Sequence, residues 1–351
     1  MAGAPWPRFL PDLTSWHAWH SSHDTLPPRW RGQALSRICR GLGVPEWRVE
    51  RPWRIELPGI AMDRRRDASE KVVEWKTGAG TLRARWVLGP DGDWWQSEYP
   101  VKSRDDFDAA REIVQARRYV ADPSRLRAAG GSPGDVVAAF ELPRSPVPEL
   151  LHAFLGWSEG LMLFLEEQDF VDELAGVLDG KVRGIIEEIA QMAGSLAIVP
   201  DNLDGRYIGP DTFSRSIAPL YAHAAGLLHA QGKALAVHVG GPVRNLLPRL
   251  SDCGVDCAEG VCGPPQGDST LAEARALSGP AMVLWGGIPQ DFLLETHPGE
   301  ELVAAAAAAF SDAAADPRAV VGVADVVPVG AVPERLEELA RRARDAGARG
   351  P

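Results

Sequence analysis

The chain has 351 residues, 45% of them hydrophobic and 24% charged, which is enough apolar material for one large α/β barrel or two ordinary domains without disulfide staples. Its 48 Asp and Glu against 37 Lys and Arg give a formal net charge of −11, which argues against a nucleic-acid or anionic-membrane surface because both need clustered cations. Four cysteines are too few for a disulfide scaffold and fit a reducing cytoplasm, so the balance points to an enzyme acting on small molecules.

In chain order, Met1 to Trp6 carries neither the basic nor the apolar segment of a secretory signal. The first hundred residues hold ten of the twelve tryptophans, which sets off residues 1–102 as a Trp-rich extension from a main body at 103–351. Around Trp16 and Trp19, three histidines, His17, His20 and His23, fall at i, i+3 and i+6. They could line one side of a helix and bind a metal, but an amphipathic helix with packed indoles is the commoner outcome of such a pattern. His20 is a candidate substrate contact, in a segment expected to close over an apolar substrate. After Ile60 the pattern turns to β: Val72–Lys76 and Leu82–Trp86 alternate around Gly78-Ala79-Gly80, and an Asp91-Gly92-Asp93 turn leads to Trp94–Tyr99, which reads as a meander. The basic run Arg64-Arg65-Arg66 reads as a solvated turn.

From Ser103, acidic residues open a helix that runs to Tyr119, and Val136–Leu142 is the first barrel-type strand. Amphipathic helical patterns cover Leu150–Phe164, Phe170–Met192, Pro210–Gln231 and Val332–Ala346; the alanine-rich Leu302–Phe310 is also helical and too short to span a bilayer. Between them lie short apolar runs bounded by turn residues, the alternation of a parallel βα sheet. Ser195–Val199 leads to Asp201, Asn202 and Asp204; Ala234–Val237 ends on His238; Val255–Ala258 leads to Glu259; Ala281–Trp285 ends on Gly286-Gly287; and Ala319–Val323 leads to Asp325. The carboxyl ends of parallel strands share one face, so Asp201, Asp204, His238, Glu259 and Asp325 are expected to converge. Cys253, Cys257 and Cys262 cluster without a CxxC pair and read as core or loop thiols rather than a zinc site.

These residues resemble the uroporphyrinogen decarboxylase superfamily over about Trp75 to Leu339. The motifs that carry the resemblance are Asp201-Asn202-Leu203-Asp204-Gly205 with Ile208–Phe213 and Pro219, Ala230–Lys233 followed by His238, Leu250–Asp256, Leu271–Arg275 with Leu284–Pro289, and Val321–Pro328. The resemblance implies a TIM (β/α)8 barrel, nearer the zinc- and corrinoid-linked methyltransferase branch than the true tetrapyrrole decarboxylases. That branch usually binds zinc through a His-x-Cys pair and a distant Cys, whereas this chain has Gly240 two residues after His238 and Asp325 on the late strand.

His238, Glu259 and Asp325 offer a replacement set, one imidazole and two carboxylates, for a divalent metal such as zinc that would activate a thiol, alkoxide or water. The expected reaction is then a metal-dependent methyl transfer on a methoxylated or methylated small molecule, with Asp201, Asn202 and Asp204 as catalytic residues and a corrinoid protein as the implied partner. A metal-independent decarboxylase (a lyase) of an aromatic or heteroaromatic acid using Asp201 or Asp204 is the alternative, and a non-catalytic binding barrel is the third. Trp285 and Asp268 join His20 as candidate substrate contacts, although Asp268 also reads as the cap of a helix starting near Thr270. A homodimer is compatible with the resemblance.

Overall fold

The computed structural model describes residues 7–89, 92, 94–126 and 134–348; Met1 to Trp6 and the turn residues Asp91 and Asp93 lie outside them. The chain forms two compact units: one joins the chain up to Glu50 with Leu126–Glu141 and everything from Ala193, and the other joins Arg51–Arg125 with Leu142–Met192. The boundary expected at residue 102 falls inside the second unit.

Thirteen strands are present among the described residues: β1 (Glu46–Glu50), β2 (Trp53–Glu56), β3 (Ala61–Arg66), β4 (Glu70–Lys76), β5 (Thr81–Leu88), β6 (Trp94–Glu98), β7 (Arg118–Ala121), β8 (Val136–Glu141), β9 (Leu196–Leu203), β10 (Ala234–Val239), β11 (Cys257–Val261), β12 (Val283–Ile288) and β13 (Ala319–Val323). In the first unit β1, β8, β9, β10, β11, β12 and β13 pair in that order as one parallel sheet. Helices Ala218–Ala230, Leu247–Asp252, Leu271–Ser278 and Gly299–Ala315 supply the crossovers between successive strands from β9 to β13, as a parallel sheet requires.

Strand parity builds the interior of this sheet. Trp47, Ala139, Leu196, Ile198, Ala234, Ala236, Cys257, Val283, Trp285 and Val320 come from all seven strands and share one buried cluster with Leu10. Trp47 on β1 meets Trp285 on β12 edge-on, with ring centroids 4.7 Å apart, so the sheet curls until strands five places apart touch through their side chains. Trp285 is 2% exposed, and its indole N–H donates to the Leu10 carbonyl at 2.9 Å, so this candidate substrate contact is a core residue.

The closed eight-stranded barrel is not formed by these ladders. Beside β13 the described residues place an isolated parallel bridge from Phe9 to Val321, with Leu10 N–H bonded to Val321 and Val321 N–H to Arg8. Pro7 and Pro11 flank this segment and have no N–H to extend a ladder, which accounts for its length.

The second unit contains the expected meander, enlarged by a strand: β3, β4, β5 and β6 pair antiparallel in order, and β2 pairs antiparallel with β7. Arg64, Arg65 and Arg66 lie on the fully exposed β3, the free edge of the four-stranded sheet, rather than in a turn. The helix predicted to reach Tyr119 is Phe107–Ala116 and ends before β7. The pattern at Leu150–Phe164 divides at Gly156, whose positive φ of 84° places it against the Tyr99 ring. No helix among the described residues is long and apolar enough to cross a membrane.

Trp285→Ala is expected to cost about 3–5 kcal/mol of stability by emptying the shared core. Urea denaturation checks this, and a wild-type midpoint would contradict the core role.

Candidate functional site

The same parity that buries the core carries particular side chains to its carboxyl end. On β10, Ala234 and Ala236 face the core and His238 follows two residues later; on β11, Cys257 faces it and Glu259 follows two later. His238 and Glu259 are register partners on adjacent parallel strands, and His238 Nδ1 lies 2.5 Å from Glu259 Oε2. Nδ1–H donates to the carboxylate in the neutral tautomer, which turns the Nε2 lone pair away from Glu259. Asp325 Oδ1 is 3.6 Å from Nε2.

Gly260 permits this close pairing. Its φ is +96°, and a Cβ there would lie 2.1 Å from the Val239 carbonyl of the neighbouring strand. A larger residue would push β10 and β11 apart at the point where their ends carry the imidazole and the carboxylate.

Two carboxyl groups here have raised proton affinity. Burial pushes the Glu259 carboxyl above the usual range for glutamate, and the nearby His238 only partly offsets this. Asp12, which follows the Phe9 bridge, is also raised by burial; hydrogen bonds from the Thr14 N–H and hydroxyl oppose the rise, and Asp325 adds to it. Asp12 and Asp325 both act electrostatically on Glu259, so one histidine and three carboxyl groups form a coupled set. Asp12 went unrecognised in the sequence, where Leu10-Pro11-Asp12 gave no strand-end signal beyond its single apolar pair.

The expected three-ligand metal shell does not fit this geometry. Glu259 is spent on Nδ1, on the far side of the ring from the Nε2 that faces Asp325, so the two carboxylates cannot share an ion with one imidazole nitrogen. No group of three or more His, Cys, Asp or Glu among the described residues is arranged to hold a metal ion. The N-terminal histidines are occupied separately: His17 bonds the Gln33 carbonyl, His20 bonds Thr25 and the Val329 carbonyl, and His23 bonds the Trp19 carbonyl. Those contacts also make His20 a structural link. Burial pushes the Cys253 thiol up to about 11 and that of Cys262 to about 12, and raises Cys257 well above its ordinary value, so all three stay protonated.

The residues expected to be catalytic at the end of β9 separate into different roles. Asp201 has the parity opposite to the core positions, is 1% exposed, and accepts a 2.6 Å hydrogen bond from the Tyr221 hydroxyl on the helix Ala218–Ala230. Asp204 lies in the following turn, where it accepts from the Arg206 backbone N–H and pairs with the Arg206 guanidinium. Asn202, between them, is held at φ 51°, and its buried Oδ1 has no hydrogen-bond partner among the described residues. It packs so closely on Gly240 that a Cβ at position 240 would fall 1.4 Å from Oδ1. Asn202 thus occupies the space where the resemblance leads one to expect a cysteine side chain. Asp325, at φ 73°, is the other non-glycine strand-end residue in the left-handed region.

Asp268 is not the helix cap. Its carboxylate accepts from the backbone N–H groups of Val243 and Arg244, and Thr270 caps the helix Leu271–Ser278 in a capping box with Glu273.

No protein-family model matches this chain, and no curated protein matches it. Among solved structures it is similar to a methyltransferase from Methanosarcina mazei, at 14% identity and a TM-score of 0.47, over 73% of this chain and 72% of that one. It is also similar to a D-psicose 3-epimerase from Clostridium cellulolyticum H10 solved with D-tagatose, at 11% identity and a TM-score of 0.34, over 61% of this chain and 78% of that one. A D-psicose 3-epimerase structure in the presence of D-fructose follows at 10% identity and a TM-score of 0.32, with the same coverage. Likeness at this level concerns the fold alone, and the uroporphyrinogen decarboxylase resemblance rests on its sequence motifs.

Asp12 binds its proton more tightly in the folded than in the unfolded chain, so folding stability present below its ordinary value of 3.8 is lost as pH rises through the raised one. Asp12→Asn removes that loss. Its stability relative to wild type should therefore increase from about pH 4 to about pH 7, as measured by thermal denaturation across pH. A difference independent of pH would contradict the buried-carboxyl assignment.

Proposed function

We propose that this protein is an enzyme whose chemistry is proton transfer at His238 Nε2, with Glu259 fixing the tautomer and orientation of the ring. The observation that carries this reading is the 2.5 Å contact between His238 Nδ1 and Glu259, combined with an Nε2 that faces Asp325 across 3.6 Å. A histidine held at one nitrogen by a buried carboxylate has a more basic second nitrogen and a fixed direction of attack, the requirements for a general base.

Of the two reactions that the sequence resemblance implies, methyl transfer to a neutral or cationic nucleophile fits these charges better than decarboxylation of an aromatic acid. An anionic substrate would add negative charge to a partly dehydrated site where burial and Asp325 already raise the proton affinity of Asp12 and Glu259, so repulsion disfavours it. A neutral hydroxyl, thiol or amine meets no such repulsion. In the proposed step Nε2 takes the proton from the nucleophile as its heteroatom bonds the methyl carbon, and the leaving group of the methylated donor keeps the bonding pair. Glu259 and Asp325 stabilise the imidazolium that results. Asp201 and Asp204, engaged by Tyr221 and Arg206, have no part in the step. Donors of the methylated-corrinoid class, with a corrinoid protein as partner, are the ones the resemblance suggests.

Methylcobalamin incubated with purified protein and a set of neutral thiols, alcohols and amines, followed by absorbance, tests this reading. Demethylation is expected to fall by a factor of about 10²–10⁴ in His238→Ala and to persist in chelator. Undiminished turnover in His238→Ala, or turnover confined to release of carbon dioxide from aromatic acids, would overturn it.

A further inference from the structure

The second unit holds a cavity of about 240 Å³ that the proton-transfer chemistry does not use. One wall is the inner face of the four-stranded sheet. The pairings Trp75 with Leu82 and Trp86 with Gln96 put Trp75, Trp86 and Gln96 on the same side of that sheet. The opposite wall comes from Ile113 and Arg117 at the end of the helix Phe107–Ala116 and from His152, Ala153 and Phe154. These last three lie in a wide helical turn closed by a hydrogen bond from Gly156 N–H to the Leu151 carbonyl, five residues back, a geometry that recurs at functional sites.

The charged side chains on these walls are arginines. Arg117 has a side chain only 8% exposed; its Nη1 donates to Glu149 at 2.5 Å, while its buried Nε has no acceptor among the described residues. An unsatisfied buried guanidinium N–H costs free energy, which a ligand oxygen would recover. Arg144 lines the same cavity, and no Asp or Glu does so among the described residues. The guanidinium carbon of Arg117 already sits 5.3 Å from the centre of the Phe154 ring, so cation and aromatic surface are presented together.

We propose that this cavity binds a small planar aromatic carboxylate, its carboxyl group on Arg117 Nε and its ring between the Trp75, Trp86 and Phe154 surfaces. The volume lies below the range of about 300–1,000 Å³ typical of sites for drug-sized ligands, which limits the occupant to about one ring. The acidic His238 site disfavours the same class of molecule, so an aromatic acid bound here is an effector or recognition ligand rather than the substrate.

Isothermal titration of the full chain with benzoate, benzamide and cyclohexanecarboxylate tests the proposal, with tryptophan fluorescence as a second readout from Trp75 and Trp86. Benzoate is expected to saturate with a Kd below about 1 mM and to bind at least about tenfold tighter than the other two. Arg117→Lys, which keeps the charge and loses the Nε donor, should weaken benzoate by about tenfold or more. Ala153→Leu, which fills the cavity and leaves the Arg117–Glu149 pair in place, should abolish binding with folding intact by circular dichroism, and it decides the matter if Arg117→Lys does not fold. His238→Ala should bind as wild type does. Absence of saturation, equal affinity for benzamide, wild-type binding by Ala153→Leu, or loss of binding in His238→Ala would overturn the assignment.

Discussion

The hydrogen bond between His238 and Glu259 is the constraint on which the candidate site depends. Both residues stand two positions beyond a core residue on neighbouring parallel strands, so the register that packs Ala236 beside Cys257 also sets the imidazole beside the carboxylate. A one-residue slip would turn both side chains to the outer face of the sheet. The core beneath is therefore part of the site: the Trp47–Trp285 contact and the indole bond to Leu10 hold in place the strands and the N-terminal segment that carry His238, Glu259 and Asp12 to one end.

The local rules that the rest of the chain obeys are broken at this end. Asn202 and Asp325 adopt left-handed backbone without being glycine, Asn202 keeps a buried oxygen with no partner among the described residues, and Glu259 and Asp12 are carboxyl groups held where burial favours their neutral forms. Such costs are tolerated where surrounding structure fixes a reactive geometry. They also set a chemical preference. A site rich in carboxyl groups stabilises an imidazolium and repels an anion, which favours neutral or cationic reactants over acids.

Much of the fold could be read from the strand-end motifs, because apolar runs ending on polar residues between helix-length segments specify a parallel sheet, and His238, Glu259 and Asp325 do meet. Other features depended on facts that spacing does not carry. The strand Glu46–Glu50 alternates polar and apolar residues like an exposed strand, yet it pairs in parallel with Val136–Glu141 in the main sheet, and only its Trp47 marks the buried side. Asp201 and His238 both lie at strand ends, but the β9–β10 register shifts between Val199 and Leu203, and there Asp201 accepts the Tyr221 hydroxyl, which spacing alone does not reveal. The ligand set inferred for a metal assumed that convergence equals a common coordination sphere, whereas hydrogen bonding places Glu259 behind the ring. Gly240 looked like a missing ligand in the sequence; the packed Asn202 side chain explains why nothing larger stands there.

The central claim is that Glu259 holds His238 as the Nδ1–H tautomer, with Nε2, which faces Asp325, as the atom that transfers the proton. Nitrogen-15 NMR of imidazole-labelled wild type and Glu259→Gln across pH tests it most directly. The account predicts a neutral His238 with protonated Nδ1 in wild type, and a lower His238 pKa in Glu259→Gln, because the neighbouring negative charge that favours imidazolium is gone. A wild-type His238 protonated at Nε2 when neutral, or a His238 titration unchanged by Glu259→Gln, would contradict it.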